Sequence, residues 1–572
     1  MKRVISLLSV VAIITLVVFV TTSAVDLGRT PTTISAAEPV ELPTTEELIV
    51  FFSETEAFHT SGITVTLTAS NPDARIFYTL DGSFPTARSR AYRNPININQ
   101  RGRMNAVTLR AIAIYGNETS ATFTQSYFLG SGVHNRFSTM VVSLATTPSY
   151  LFDHNRGIFV PGALRENFIR SNPGVNPTPL HPANFNMRGR ESERPASLEV
   201  FSPDGDYILS QDIGIRVHGG WSRGHDQKSI RLIPRRIYTP HTGSFRYNFF
   251  PGDTNVWGEE IVRYDQMILR NGGNDNSHAL LRNELGSVLI RNAGFLAVTP
   301  VRPAAVFVNG RYYGFAWLQV RFNEQYLERL FDAPTREFDI VGMGERWIDS
   351  DDPRVIADIN ALNNFAYRNL RDNAIFAELE AILDIEDFLF YYAFQIFIGQ
   401  EDWPQNNLRR WRYTGPISAD NAPELDGRWR HIVFDLDWTF GLYGDDYTKP
   451  TFRNVIERNA ERRWTDSTDP RSPLLNAILE RDDMADRFVQ IMRDISQNYV
   501  NERVVRQTLH YLMEETGARR EMEYAIQAGT FESWFTTNRL AREHEDIIHF
   551  AANRHRQIDR DLQRRFGVGL SR

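Results

Sequence analysis

Trp429-Arg-His-Ile-Val-Phe-Asp-Leu-Asp-Trp-Thr-Phe-Gly441 is an apolar run that delivers two carboxylates, Asp435 and Asp437, two positions apart. If the strand continues through them, both side chains share one face. Two carboxylates held together in apolar surroundings need a compensating cation, and a divalent ion with oxygen ligands, Mg2+ or Mn2+, suits them. A pair of exposed aspartates at a strand end would leave the same trace. The reading therefore depends on what lies around this segment.

Upstream, Gln400-Glu-Asp-Trp-Pro-Gln-Asn-Asn407 follows an apolar helix, hydrophobic on all sides, expected over 385–398, with Asp384 as its cap. Asp402 and Asn407 are five apart, the spacing at which a protein-kinase catalytic loop carries its base and a metal-binding asparagine. A helix-ending loop that uses Asp and Asn for backbone bonds has the same look. Farther upstream, Gly214-Ile-Arg-Val-His-Gly-Gly-Trp-Ser-Arg-Gly-His-Asp-Gln-Lys228 reads as a strand, a Gly219-Gly220 turn and a second strand bearing Lys228. Adjacent glycines let backbone N–H groups approach a phosphate, and Ser222 and Arg223 can add contacts. An ordinary glycine hairpin is the plainer alternative.

Composition sharpens the choice. The chain has 572 residues and only three lysines, Lys2, Lys228 and Lys449; the other 60 of its 63 basic residues are arginine. Lysine is a compact point charge and arginine a planar fork, so a chain that avoids lysine keeps it where a fork does not serve. Lys228 and Lys449 are flagged on that ground. There is no cysteine, which excludes disulfides, thiolate metal sites and thiol nucleophiles. A net charge of −7 gives no footing for nucleic-acid binding.

Lys2 and Arg3, the apolar run from Val4 to Val20, and Thr22-Ser23-Ala24 read as an export signal or membrane anchor over 1–24. Residues 25–59 read as a linker leading into a first domain. Over 60–131 short alternating strands, Ile63–Thr68, Arg75–Thr79 and Val107–Ala113, with a turn at Asp81-Gly82, suggest an immunoglobulin-like β-sandwich. Gly-Ser-Gly-Val at 130–133, in the stretch around 131–134, reads as a flexible joint. From 136 to 568 strands come first and helices later, an α+β pattern like the two lobes of a kinase. A helix is expected near 277–292 with Ser277 as N-cap, and a hairpin around Asn309-Gly310.

Two resemblances follow. Phe77-Tyr-Thr-Leu-Asp-Gly-Ser-Phe-Pro-Thr, Leu109–Ala113 and Ser120–Phe128 resemble the module at the C-terminus of chitobiases and hexosaminidases. His218-Gly-Gly-x-Ser-Arg with Gln227-Lys-Ser-Ile-Arg, Leu269-Arg-Asn-Gly-Gly-Asn-Asp, Phe307-Val-Asn-Gly-x-Tyr-x-Gly, Asp402-Trp-Pro-x-Asn-Asn, Asp435-Leu-Asp-Trp-Thr-Phe-Gly-Leu and Phe550-Ala-Ala-Asn-Arg with Phe566-Gly resemble, in order, the spore coat protein H (CotH) family of atypical kinases. The resemblance implies a two-lobed kinase-like fold, ATP with Mg2+ or Mn2+, and transfer to hydroxyls, chiefly serine, of exported or surface proteins. It makes Lys228 the ATP-contacting lysine, Asp402 the catalytic aspartate, Asn407 a metal or phosphate contact, and Asp435 with Asp437 the metal carboxylates. The glutamate that pairs with lysine in ordinary kinases is not assigned by it; Glu284 is a candidate by position. Two positions depart from the family: Val320 stands where a glutamate is usual, and Asn283 where an aspartate is usual. Transfer of AMP or glutamate on the same fold, a pseudokinase serving as a coat or surface protein, and a carbohydrate-directed protein led by the sandwich remain alternatives. The expected setting is extracellular or cell-surface, with membrane contact through the N-terminus alone and cell-wall contact open to the sandwich.

Overall fold

The computed structural model describes residues 47–240, 242–344, 347–444, 446–457 and 471–570. The export segment and the linker up to residue 46 lie outside the described residues. Among the described residues no helix is long and apolar enough to cross a membrane. The fold is mixed α+β, with an N-terminal β-sandwich.

Period-two alternation builds the sandwich. The long strand Asn105–Tyr115 pairs with Arg75–Thr79 on one side and Phe123–Leu129 on the other. Leu109, Ala111, Ala113, Tyr127 and Leu129 face inward onto Val50, Val65, Leu67, Ile96 and Ile98 of two facing strand pairs. The alternate residues Thr108, Arg110, Ser126 and Phe128 should then meet water, yet all are buried. The next domain covers them.

That domain opens with a closed seven-stranded barrel in the spatial order Met140–Ala145, Arg194–Phe201, Tyr207–His218, Ser229–Ile233, Met267–Arg270, Arg311–Val320, Val301–Val308. The hairpin at Asn309-Gly310 is as expected, both residues having positive φ. The Phe128 ring sits 4.9 Å from Phe307, 5.8 Å from Phe201 and 5.9 Å from Phe137, so sandwich and barrel share a core. The stretch read as a flexible joint is anchored at one residue, while Ser131, Gly132 and His134 are exposed. Val133 opens a short 3-10 helix, Val133–Asn135, and is 1% exposed.

A polar patch completes this junction. Glu199 of the barrel accepts from the Ser126 N–H at 3.1 Å and its hydroxyl at 2.6 Å. Arg110 donates to Gly82 O and Ser197 Oγ and lies over the Phe84 ring. Burial pushes Glu199 up to about 7, against the pull of Ser126 and Arg110.

The C-terminal half is helical around the buried helix Ile385–Phe397, whose N-cap Asp384 accepts from the Asp387 N–H as expected. A four-stranded sheet that includes Leu408–Tyr413 and Arg430–Ile432 flanks it. Arg554 of the long helix Thr537–Phe566, 0% exposed, donates to the carbonyls of Ile396, Phe397, Tyr447 and Lys449. A cation on those last carbonyls suits the negative end of the helix and fixes where the chain leaves it.

The helix expected from Ser277 starts later, at Arg282. The fully buried Asp275 accepts from the N–H groups of Ala279, Leu281 and Arg282, which holds the preceding turn outside the helix with Ser277 and Leu280 at positive φ.

Two outcomes follow from the shared core. Phe128→Ala should destabilise the protein by about 3–5 kcal/mol and melt sandwich and barrel together. Calorimetry that resolves two transitions, with the barrel's unmoved, would contradict this. Glu199 binds its proton more tightly folded than unfolded, so its contribution is complete below about pH 4.5 and is lost as pH rises through about 7. Urea unfolding of Glu199→Gln against wild type should therefore favour the variant increasingly from about pH 5 to about pH 8, by up to about 3 kcal/mol. A difference that does not change with pH argues that Glu199 stays charged throughout.

Candidate active site

Asp435 and Asp437 do converge, but not by strand alternation. The strand Arg430–Ile432 ends before them, and Asp435 is left-handed at φ 57°. That turn swings both carboxylates onto one guanidinium: Arg270 Nη2 donates to Asp435 Oδ1 and to Asp437 Oδ2, each at 2.7 Å. Asp437 is buried and also accepts from the backbone N–H of Asn274 at 2.8 Å and its Nδ2 at 3.2 Å. Asp435 keeps a third of its side chain exposed. Burial, and then the Asp435 charge, push Asp437 up to about 8, while Arg270 pulls it down. The backbone at Gly273 (φ 63°) passes so close that a Cβ there would collide with the Asp437 carboxylate.

Arg270 is the residue that sequence reasoning left without a role. It lies within the quoted Leu269-Arg-Asn-Gly-Gly-Asn-Asp motif, but among 60 arginines one more carries no signal. Its charge is also felt by Glu284 on the helix Arg282–Asn292, a buried carboxyl pushed up to about 7 by desolvation. Glu284 is therefore placed with Arg270. Among the described residues no carboxylate forms an ion pair with Lys228. Asn283, one of the two departures, accepts from the Leu436 N–H at 3.0 Å and donates to Glu284 at 2.9 Å. It fixes the backbone between the two aspartates, and a carboxylate there would repel Glu284. Val320, the other departure, is buried in the barrel core opposite Met267.

The Asp402 loop lies against the same segment. Gln400 Nε2 donates to Asp435 O at 2.9 Å, and the Glu401 N–H to Trp438 O at 3.2 Å. Asp402 accepts from Asn406 Nδ2 at 2.8 Å and Asn407 Nδ2 at 3.1 Å, with Asn407 left-handed at φ 52°. Burial is the main force pushing Asp402 up to about 6, and the Asp435 charge adds to it. Lys449, flagged by its rarity, pairs with Glu401 at 3.4 Å, one residue before Asp402.

The glycine turn approaches through His225 and Gly273, whose segments pack together. Gly219 is at φ 108°, where a Cβ would strike Ser222 Oγ. Arg223 donates Nε to Gly219 O and Nη1 to Phe185 O, both at 2.7 Å, so its fork holds the turn's shape. Lys228 donates Nζ to His225 O and lies 4.6 Å from the centre of the Phe185 ring. Desolvation pushes it down to about 8. Ser229 Oγ and Gln227 O both bond Asn271, which ties the Lys228 strand to the Gly272-Gly273 turn.

Among the described residues no three His, Cys, Asp or Glu side chains are close enough to hold a metal unaided. The donor chemistry nevertheless fits a divalent cation. Asp435, Asp437 and the Asn407 carboxamide are oxygen donors, and Asp435, Asp437 and Glu284 all act on the one guanidinium of Arg270. A hard cation completed by ligand phosphates or water suits such a set.

Two family models match the chain. A family model described as CotH kinase protein matches residues 215–558, and one described as Chitobiase/beta-hexosaminidase C-terminal domain matches residues 55–124. The solved structure of a Helicobacter pylori proinflammatory kinase, CtkA, is similar over 46% of this chain and 92% of that chain, at 11% identity and a TM-score of 0.20. No curated protein matches the chain.

Arg270→Gln should leave the two aspartates without their shared cation and destabilise the protein by about 3–5 kcal/mol. Adding Asp437→Asn should recover part of the loss, because one stranded charge is then gone. Denaturant unfolding of the two singles and the double tests this, and strictly additive losses would count against the shared pairing.

Proposed function

The chain belongs to the CotH kinase protein family, and on that premise we propose that it is an exported phosphotransferase that moves the terminal phosphoryl group of ATP to serine hydroxyls of exported or surface proteins. The observation that carries the reading is the seam joining the Asp402–Asn407 loop to Asp435 through Gln400. It brings a candidate base and a candidate metal carboxylate to one place, as phosphoryl transfer requires.

The roles follow from the environments. Asp435, Asp437 and Asn407 would hold the divalent cation, which when bound neutralises phosphate charge. Lys228 rests on a carbonyl and an aromatic face, so its positive charge is left for the donor phosphates, along with N–H groups of the Gly219–Ser222 turn. Asn406 and Asn407 aim the Asp402 carboxylate. As the acceptor oxygen bonds to the terminal phosphorus and the nucleoside diphosphate leaves, the acceptor proton passes to an Asp402 oxygen. A carboxylate raised to about 6 is ionised near neutrality yet basic enough to take it. Export is supported by the basic, apolar and small-residue order at 1–24.

Incubating the full chain with γ-labelled ATP, Mg2+ or Mn2+ and exported proteins, followed by mass spectrometry, tests the reading. Phosphoserine supports it; an AMP or glutamyl adduct, or no adduct, rejects it. Within an active enzyme, Asp402→Asn should slow transfer by about 10²–10⁴ while ATP affinity is nearly kept. A variant that loses ATP affinity instead would move Asp402 from base to ligand.

A further inference from the structure

On the barrel wall formed by Tyr207–His218, Ser229–Ile233, Met267–Arg270 and Arg311–Val320, residues alternate between the core and the outer face. Ile215, Val217, Ile230, Leu232, Leu269 and Leu318 point into the core. Register then sets the outward row: Arg216 opposite Arg231, Arg231 opposite Ile268, and Ile268 opposite Gln319. Like charges directly opposite each other in an antiparallel pair are destabilising. Two more guanidinia join the row. Gln266 accepts from Arg231 Nε at 2.5 Å through its side chain and from the Arg321 N–H at 3.1 Å through its carbonyl. Arg409, on the strand Leu408–Tyr413, lies 4.4 Å from the Phe434 ring, and its charge acts on Arg321.

Acids do not match these charges. Glu193 pairs with Arg216 at 2.6 Å and with Arg235 at 2.8 Å. Among the described residues no carboxylate lies within ion-pair distance of Arg231, Arg321 or Arg409; Glu193, Glu324, Asp349 and Asp435 act on them only from farther off. Desolvation lowers all three, Arg231 to about 9, and neighbouring guanidinia add to the effect on Arg231 and Arg321. None of the roles assigned above uses them.

We propose that Arg231, Arg321 and Arg409, with Arg216 beside them, form an anion site for a ligand bearing two or more phosphate groups. Guanidinium forks match phosphate oxygens in pairs, and a half-buried wall of one sign concentrates such a ligand. The ligand relieves a repulsion that the fold otherwise carries. The proposal stands on register and unmatched charge, whatever group the enzyme transfers. The phosphates can come from the donor nucleotide or from a phosphorylated acceptor.

The test uses the full chain with tripolyphosphate, ATP and adenosine, read by calorimetry and melting temperature. Tripolyphosphate should bind and raise the melting temperature of the wild type. Arg231→Gln, Arg321→Gln and Arg409→Gln should each weaken that binding on the order of tenfold or more. Without ligand, their melting temperatures should equal or exceed that of the wild type, because repulsion is relieved. ATP displacing tripolyphosphate, with adenosine failing to, assigns the site to the donor; tripolyphosphate binding alongside ATP assigns it to a phosphorylated acceptor. No binding by wild type, or binding unchanged in all three variants, overturns the proposal. So does a fall of several degrees in ligand-free melting temperature with affinity intact, which would make the arginines structural.

Discussion

One guanidinium shared by two aspartates is the constraint around which the centre of this protein is arranged. Asp435 and Asp437 can occupy adjoining space because Arg270 lies between them. Burying charges is costly unless they are paired and hydrogen-bonded, so the surroundings of this trio are specified closely. Asn274 adds two donors to Asp437, Gly273 leaves room for the carboxylate, and Asn283 pins the backbone between the acids. Glu284 feels the Arg270 charge and Asp402 the Asp435 charge, and burial raises the proton affinity of both. Asp435, the more exposed of the two acids, is the one open to an incoming divalent cation.

The prevalence of arginine has a structural reason that the fold makes visible. Arg554 satisfies four carbonyls at the exit of the buried helix, Arg282 joins Asp275 to Glu543, Arg136 joins Glu521 by two bonds, and Arg110 spans the sandwich–barrel junction. Each task needs several donors at fixed angles, which a planar fork supplies and an ammonium does not. Lys228 and Lys449 have different surroundings. The first donates to the His225 carbonyl and lies by the Phe185 ring, and the second pairs with the Glu401 carboxylate next to Asp402.

The sequence disclosed what depends on local pattern. Alternation located the strand Arg75–Thr79 and the edges of the hairpin at Asn309-Gly310, and Asp384 announced the buried helix. It could not disclose what depends on distant partners. The helix after Ser277 begins later than its local pattern suggests because Asp275 captures N–H groups up to seven residues ahead. The joint at 131–134 looked loose because glycine and serine favour flexibility, while Phe128 and Phe307, far apart in the chain, close the junction over Val133. Asp435 and Asp437 were legible as a pair, but the left-handed turn that unites them was not, and neither was Arg270, brought in from a different strand.

The charge pattern of the barrel wall follows from that geometry. Residues on the outer face of the barrel wall alternate with core residues, so a strand that carries Arg270 toward the acids carries its neighbours along the same face. The register places Arg216 and Arg231 on this face, one step along from His218 and Ser229. Asp435 is felt by Arg409, so the acid end and the arginine end of the wall are electrically connected through one residue. A ligand with a metal-bound phosphate at one end and further anionic groups at the other would meet complementary charge along its whole length. The reverse orientation would set phosphate against carboxylate. Polarity along the wall is thus a means of orienting the ligand before any contact specific to its organic part is made.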